Sequence, residues 1–326
     1  MTTTLIVLDG HMMDYMVEGA DDLLLQSLNI DPSSEYLMVD AVEWERLADL
    51  CRHRGLLPTM MVGGAGANTA RWFGRLGGQV QVYGQVGQDE NGRTHLAQLS
   101  RDLCDVRVRQ VAQPTGRSLV LVRPNGGRVM RSDIGGGMYF DDEATVEAGI
   151  QPNTWLHLTG YLLNQAFPIH RVAFAAMETA TDLHVPISID LGSGAYLGRE
   201  IMRQVIERYN ATVLFLNHKE AEMLGLGAPE QAARQLLDWT TSDRGAVVVV
   251  TQGERGVLVH SAGEHFTAPA RQVVVRDTTG AGDAMAAGFL LSLTRGSPLR
   301  ACADYGCEVA AETVQVLGGL PANDNL

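Results

Sequence analysis

The amino-acid sequence predicts an α/β protein built on a parallel, doubly wound sheet with helices on both faces. Val- and Ile-rich runs alternate with helical segments through the second half of the chain, which is typical of buried parallel strands joined by helical crossovers. Two glycine-rich turns, 63–66 and 280–282, each lead into a helical segment. Asp190, Asn217 and Thr251 follow predicted strands, and ligands bind at that edge of such sheets.

The composition is that of a globular protein, because 45% of the 326 residues are apolar. We expect a single domain over residues 1–326. The balance of 25 Lys and Arg against 38 Asp and Glu gives a net charge of −13, which disfavours nucleic acid and anionic membrane as partners. No apolar run approaches the roughly 20 residues of a membrane span, and a cytoplasmic protein is expected. The four cysteines form no CxxC pair, so we expect reduced thiols and no zinc site.

The first half of the chain contains a short apolar run that ends at Asp9, as a buried first strand meeting a turn would. The turn residues Pro124 to Gly127 separate two strand-like runs and indicate a hairpin. The elements predicted in this half are strand 4–8, helix 21–28, strand 36–39, a helix through 76, strand 80–83, loop 84–92, helix 94–103, and hairpin strands 118–123 and 128–131.

The second half alternates regularly, and its strands are rich in Val and Ile. The β-branched run Val273–Val275 predicts a strand directly before the second glycine-rich turn, and a helix is predicted to begin near Ala281. The other elements predicted here are strands 155–158, 186–190, 213–216 and 247–250, helices 167–181, 199–209, 219–224 and 229–240, hairpin strands 257–260 and 265–267, and a long helix over 299–317.

The turn from Asp277 to Asp283 has the chemistry of an anion site. Its glycines allow close approach of a ligand, and the N–H groups of the following helix point at it with the positive end of the helix dipole behind them. Asp283 stands where the turn becomes the helix. An acid beside a phosphate is explained if it takes a proton from an attacking hydroxyl; the alternative is an ordinary acidic residue in the first helical turn.

The segment DTTGAGDAMAAGFL resembles the C-terminal signature of the ribokinase family, also called the phosphofructokinase B (pfkB) family, of carbohydrate and nucleoside kinases. The resemblance implies a ribokinase-like three-layer fold with a small β-sheet lid, and use of ATP and Mg²⁺. It makes Asp283 the catalytic base, and the backbone N–H groups of Gly280, Ala281 and Gly282 would hold the charge on the phosphoryl oxygens. Several family members need potassium, which by resemblance would lie near Asp277.

The segment GGAGANTA is similar to the N-terminal signature of the family, in which a glycine and an Asn contact the acceptor; here these are Gly64 and Asn68. The resemblance implies that Asp14 holds acceptor hydroxyls. It also implies a lid built from residues 11–40 and 115–133. Arg128 in the lid hairpin would reach a phosphate or the substrate.

The first forty residues are most similar to the adenosine-kinase-like branch of the family. One departure stands ahead of Asp14, where that branch has Gly-Asn and this chain has Asp9-Gly10. A second departure is Cys307, near the position of an Asn that lies by the adenine in family members. These two departures leave the specificity for a nucleoside and the details of the base pocket open.

The segment Asn217-His218-Lys219-Glu220 resembles the Asn-x-x-Glu motif of the family, which implies that Asn217 and Glu220 help to hold magnesium and phosphates, Glu220 partly through water. The same spacing would also satisfy a helix capping box. The loop Thr251, Gly253, Gly256 resembles the nucleotide-contacting loop of the family.

We therefore expect an ATP-dependent phosphotransferase that moves the γ-phosphoryl group to a hydroxymethyl group of a sugar or nucleoside. A kinase specific for adenosine or another nucleoside is one alternative. A non-catalytic sugar or nucleotide sensor on the same scaffold is another. The expected partner is a small molecule, and exposed lid strands make a homodimer through the lid plausible.

Overall fold

The computed structural model describes residues 2–192, 197–240 and 245–320. The strands of this part of the chain are β1 (Thr4–Leu8), β2 (Met12–Glu18), β3 (Tyr36–Met38), β4 (Thr59–Gly63), β5 (Gln79–Gly87), β6 (Asp105–Val111), β7 (Gly116–Val122), β8 (Arg128–Asp133), β9 (Thr154–Thr159), β10 (Ile187–Asp190), β11 (Val213–Asn217), β12 (Val247–Thr251), β13 (Val257–Ser261) and β14 (His265–Ala268).

The α-helices of the same ranges are α1 (Asp22–Ser27), α2 (Ala41–His53), α3 (Ala65–Arg75), α4 (Glu90–Arg101), α5 (Glu143–Gly149), α6 (Ile169–Asp182), α7 (Arg199–Tyr209), α8 (His218–Met223), α9 (Pro229–Asp238), α10 (Ala281–Thr294) and α11 (Leu299–Thr313). No helix among these described residues is long and apolar enough to cross a membrane.

The larger sheet has nine strands in the order β14-β13-β12-β11-β10-β9-β1-β5-β6. The strands from β12 to β6 pair in parallel, and β13 and β14 add an antiparallel hairpin at one edge. Every residue of β9 is buried, as expected for a strand covered on both faces. One apolar core packs α6, α7 and α9 against one face, and a second packs α3, α10 and α11 against the other. The predicted doubly wound α/β fold is confirmed.

The smaller sheet has five strands in the order β3-β8-β7-β2-β4. Apolar side chains of α1 and α2, among them Leu25 and Trp44, pack on one face against Val17 of β2 and Leu119 of β7. The sheet includes β4, which lies outside the two segments that the sequence assigns to a lid. In register, Asp14 on β2 stands between Met61 on β4 and Ser118 on β7.

Contacts with residues 276–278 hold the smaller sheet near the second glycine-rich turn. The carbonyl oxygen of Gly126, in the β7–β8 hairpin, accepts from the backbone N–H and the hydroxyl of Thr278 at 3.2 and 2.9 Å. Arg276 forms an ion pair with Glu18 of β2 at 2.9 Å. The turn before α10 therefore lies under the smaller sheet.

The predicted strand at Val273–Val275 is wrong, because these residues have no regular structure. β14 is the edge strand of the larger sheet, and the chain leaves that edge to reach α10 rather than pairing again. The side chain of Val274 is 85% exposed. The backbone N–H groups of Arg276 and Asp277 donate to the carbonyl oxygen of Val314, at 2.8 and 3.3 Å, instead of to a strand.

Some predicted boundaries are also wrong; α4, for example, begins at Glu90 and not at Thr94. β5 continues through Gly87, so the first residues of the predicted loop 84–92 belong to a strand. The predicted helix over 299–317 stops at Thr313, and a short 3₁₀ turn follows at Leu317–Gly319. Val316 is already extended, with a φ of −119° and a ψ of 164°, and Gly318 has a φ of 74°, so the helix does not continue through this stretch.

Candidate active site

The turn before α10 is closed by Asp277, which is fully buried. One oxygen of its carboxylate, Oδ1, accepts from the backbone N–H and the hydroxyl of Thr279 at 2.9 and 2.7 Å. The other oxygen, Oδ2, accepts from the backbone N–H of Gly318 at 2.8 Å. Gly280 then caps the helix with a φ of 75°. Asp277 therefore holds the shape of the turn.

The N-terminus of α10 offers free N–H groups to a ligand. The first helical hydrogen bond runs from the N–H of Ala284 to the carbonyl oxygen of Gly280 at 2.9 Å, so the N–H groups of Gly282 and Asp283 have no partner within the helix. Gly282 is exposed, and a Cβ atom added to it would meet open space. This end of α10 fits a phosphate.

Asp283 lies where α10 meets α3. The amide of Asn68 on α3 donates to Oδ2 of Asp283 at 3.0 Å, and the hydroxyl of Thr69 donates to its backbone oxygen at 3.4 Å. Asp283 keeps part of its surface open, but protein atoms surround the carboxyl, and this burial raises its pKa to about 6. The bond from Asn68 and the charge of Arg128 oppose the rise. A carboxyl that titrates near neutral pH suits general base catalysis.

Asp14 lies on β2 of the smaller sheet and faces the same region. Burial raises its pKa to about 7; the positive charge of Arg128 opposes the rise, and the negative charge of Asp283 adds to it. A Cβ atom on Gly63 would lie 2.3 Å from Oδ1 of Asp14. The neighbouring Gly64 has a φ of 98°, which a side chain rarely adopts.

Arg128, at the start of β8, connects the smaller sheet to the turn before α10 and lies near the acids of the site. Its guanidinium donates to the hydroxyl of Thr278 at 3.3 Å. Its positive charge lowers the pKa of Asp14, Asp283 and Glu220. The sequence predicted that Arg128 reaches a phosphate or the substrate from the lid hairpin, and the structure brings it near Asp14, Asp283 and Glu220.

Asn217 and Glu220 form the capping box that their spacing allows, at the start of α8. The backbone N–H of Glu220 donates to the side-chain oxygen of Asn217 at 3.0 Å, and the N–H of Asn217 donates to Oε2 of Glu220 at 2.7 Å. The predicted capping arrangement is confirmed. These bonds leave the second carboxylate oxygen of Glu220, Oε1, for another partner.

Asp190, at the end of β10, lies near Glu220. Burial and the charges of Glu220 and Asp283 raise its pKa well above the usual value, and burial raises that of Glu220 as well. The carboxylate oxygens of these two neighbouring acids are ligands that Mg²⁺ prefers, and its positive charge would remove the repulsion between the two carboxylates. No group of three His, Cys, Asp or Glu side chains suited to a metal occurs in the described ranges.

Thr251 ends β12 directly opposite Asn217 in the register of the sheet. Gly253 and Gly256 follow with φ angles of 61° and 90°. A Cβ atom on Gly256 would lie 2.0 Å from the carbonyl oxygen of Ala268, so the hairpin itself requires this glycine. Contact of these three residues with a nucleotide stays a prediction.

Three residues were not predicted as site residues: Asp9, which the sequence indicated only as the end of the first strand and as a departure from the family branch, and His11 and His95. They lie behind the first glycine-rich turn, and all three are buried. His11 and His95 are 84 positions apart, and no motif connects them. Cys307 on α11 is buried, and all four cysteines are free.

An anion-binding helix N-terminus, an acid beside it and a second sheet over both are the arrangement of a small-molecule kinase. The chain belongs to the pfkB family carbohydrate kinases, whose sequence pattern matches residues 38–325. The resemblance found in the sequence is thereby confirmed.

Named relatives and solved structures fall on both the sugar and the nucleoside side of this family. A fructokinase of Klebsiella pneumoniae is 30% identical over 239 residues, which are 71% of this chain and 76% of that protein. A cytidine kinase of Thermococcus kodakarensis is 37% identical over 123 residues, which are 37% of this chain and 42% of that protein. The structure of adenosine kinase from Sinorhizobium meliloti superposes with a TM-score of 0.87 at 23% identity and covers 98% of this chain and 96% of that one.

Proposed function

We propose that the protein transfers the γ-phosphoryl group of ATP to a hydroxymethyl group of a sugar or nucleoside. The observation that carries the proposal is the setting of Asp283. Its carboxylate is held by Asn68 at 3.0 Å, one residue from the exposed Gly282 at the N-terminus of α10. A base and an anion site on the same helical turn are what in-line phosphoryl transfer needs.

In this proposal Asp283 takes the proton from the attacking hydroxyl. The backbone N–H groups of Gly280, Gly282 and Asp283 hold the charge that develops on the phosphoryl oxygens, whereas that of Ala281 already donates to the carbonyl oxygen of Thr278 at 3.3 Å. Arg128 adds positive charge from the smaller sheet. Glu220, with Asp190 and Asn217 beside it, would hold magnesium, which supplies charge neutralisation for the phosphates when bound. A potassium ion near Asp277 stays a prediction.

The acceptor would bind between the first glycine-rich turn and the smaller sheet. Asp14 accepts from its hydroxyls, and Gly64 lets it approach the backbone. The side-chain oxygen of Asn68 is buried and has no hydrogen-bond donor among the described residues, so it can accept from an acceptor hydroxyl after a small movement. The smaller sheet acts as a lid that excludes water from the transferred group.

The lid also supports the predicted homodimer. Its edge strands β3 and β4 expose Leu37, Met38 and Met60, which are 47 to 50% accessible. Unpaired apolar strand edges favour pairing with another strand. A dimer mass in sedimentation that is lost with Met60→Lys would support this arrangement, and a monomeric wild type would contradict it.

The test of the function is ADP release from ATP with magnesium and potassium, for a panel of adenosine, inosine, guanosine, cytidine, ribose, fructose and 2-keto-3-deoxygluconate. The control is the same mixture without an acceptor, which measures ATP hydrolysis. We expect one acceptor to raise the rate far above this control and so to decide between a sugar and a nucleoside. ATP binding by calorimetry without any transfer across the panel would contradict the proposal and favour a sensor.

A further inference from the structure

A buried chain of three side chains lies behind the first glycine-rich turn. Nδ1 of His11 lies 3.0 Å from Nε2 of His95 and 3.5 Å from Oδ2 of Asp9. The outer nitrogens of the two rings face backbone carbonyls: Nε2 of His11 lies 3.2 Å from the oxygen of Tyr83, and Nδ1 of His95 lies 3.0 Å from the oxygen of Met12. All four ring nitrogens are therefore engaged.

These contacts determine how many protons the two rings carry. Carbonyl oxygens only accept, so both of these contacts are hydrogen bonds only when Nε2 of His11 and Nδ1 of His95 donate. A neutral imidazole has a single N–H. If both rings were neutral, Nδ1 of His11 and Nε2 of His95 would meet as two lone pairs at 3.0 Å. A third proton between the rings turns this repulsion into a hydrogen bond.

Two charged groups near the rings act on that third proton in opposite directions: Arg71 opposes it, and the carboxylate of Asp9 favours it. Burial lowers the pKa of His11 to about 4, and burial, the neighbouring His11 and the positive charge of Arg71 on α3 lower the pKa of His95 well below its usual value. Arg71 is itself paired with Asp102 at 2.6 Å. Asp9 faces His11 from the residue that follows β1, and burial raises its pKa to about 7. A carboxylate beside a shared imidazolium proton offsets part of both burial costs, because each charge is the partner of the other.

Asp9 connects this chain to the site. Its Oδ1 accepts from the backbone N–H of Gly66 at 3.2 Å. A Cβ atom on Gly64 would lie 2.1 Å from Oδ2, and one on Gly66 would lie 2.9 Å from Oδ1. The turn that leads to Asn68 is thus packed directly on the Asp9 carboxylate, and Asn68 holds Asp283.

We propose that Asp9, His11 and His95 hold one proton in common and act as positioning residues, with the Asp9 carboxylate anchoring the turn of Gly64 and Asn68. The proposal rests on the proposed function for the role of that turn. The shared proton itself can be tested without any activity.

The first experiment is a two-bond ¹H–¹⁵N correlation spectrum of the whole protein with ¹⁵N-labelled histidine at about pH 7. His11→Gln and His95→Gln assign the signals. His157 is the internal reference, because it is also fully buried and contacts the hydroxyl of Ser188 at 2.9 Å. We expect His11 and His95 together to carry three N–H protons, as one neutral and one cationic ring would. We expect His157 to be neutral. Two neutral rings would overturn the proposal, whether or not the protein is a kinase.

The second experiment tests positioning. Asp9→Asn removes the counterion, and we expect KM for the acceptor to rise by about tenfold with little change for ATP, because a shifted turn displaces the acceptor. We expect the wild type to lose acceptor affinity as rising pH removes the shared proton, because the pairing of His11 and His95 that supports Asp9 is then lost. Asp9→Asn should lack this dependence. His157→Gln is the control for substitution of a buried polar group.

An unchanged acceptor KM and pH profile in Asp9→Asn would overturn the positioning role. If Asp9→Asn does not fold, His95→Gln gives the same comparison, since it also removes the shared proton. If the wild type phosphorylates no acceptor, the kinase proposal fails, and the spectrum still decides the shared proton.

Discussion

The two glycine-rich turns look alike in sequence but have different reasons for their glycines. In the turn before α3, added Cβ atoms on Gly63 and Gly64 would lie 2.3 and 2.1 Å from the carboxylates of Asp14 and Asp9. In the turn before α10, an added Cβ on Gly282 would meet open space. The first turn is glycine-rich because two acids of the protein pack against it, whereas Gly282 leaves room for a ligand.

The two acids of the second turn differ in a similar way. Asp277 accepts three hydrogen bonds from its own turn and from Gly318, so it serves the backbone. Asp283 accepts one side-chain bond, from Asn68, and keeps part of its surface open. A carboxylate satisfied by backbone N–H groups holds structure, and one left partly open at a titrating pKa is available for chemistry.

The largest effect is expected from Asp283→Asn. The amide cannot take a proton, so kcat should fall by about 10² to 10⁴-fold with the thermal midpoint nearly unchanged. The matched variant Asp277→Asn should instead cost about 1 to 3 kcal/mol of folding free energy, because its NH₂ group would face a backbone donor. Steady-state kinetics and thermal melts of both variants separate the two roles. Retention of most activity in Asp283→Asn would remove it as the base.

A smaller effect is expected from Gly64→Ala. The methyl group would collide with Asp9 at a left-handed φ, and we expect a loss of about 2 to 3 kcal/mol in chemical denaturation. Gly282→Ala is the control and should change stability by no more than about 0.5 kcal/mol. Asp9→Ala should restore part of the loss in Gly64→Ala if the collision is its cause. Equal losses at Gly64 and Gly282 would contradict the difference between the turns.

Asn68→Ala should shift the pH profile without abolishing activity. The bond from Asn68 lowers the pKa of Asp283, which burial raises to about 6. The base works when ionised, so the rate falls as pH drops through that pKa. Losing a bond to a carboxylate, worth about 1.5 kcal/mol, should move this acid limb upward by about one pH unit. The measurement is kcat against pH; a downward shift or none would show that the bond does not tune the base.

The smallest effect is expected at the exposed ion pair between Arg276 and Glu18, which joins the turn before α10 to the smaller sheet. Both side chains are about half exposed, and such pairs contribute about 0 to 1 kcal/mol. Glu18→Gln should therefore change the unfolding free energy by less than that, and less still at high salt. A larger loss in urea titrations would mean that the pair holds the lid closed.

Local sequence predicted most of the fold because its signals are local. The Val-rich strands, the hairpin at 124–127 and the start of α10 each follow from a few adjacent residues. The run Val273–Val275 failed for the opposite reason. Strand formation requires a partner, and the path from the edge strand β14 to α10 offers none.

The sequence by itself determined the α/β class, the family and the motif residues, including Asp283, Asn68 and Glu220. Short-range patterns encode all of these. Only the tertiary structure decided which distant groups meet: Arg128 with Thr278, Asp190 with Glu220, and His11 with His95. The pKa of each buried acid depends on such meetings, since desolvation and neighbouring charge are properties of the packed chain and not of any segment within it.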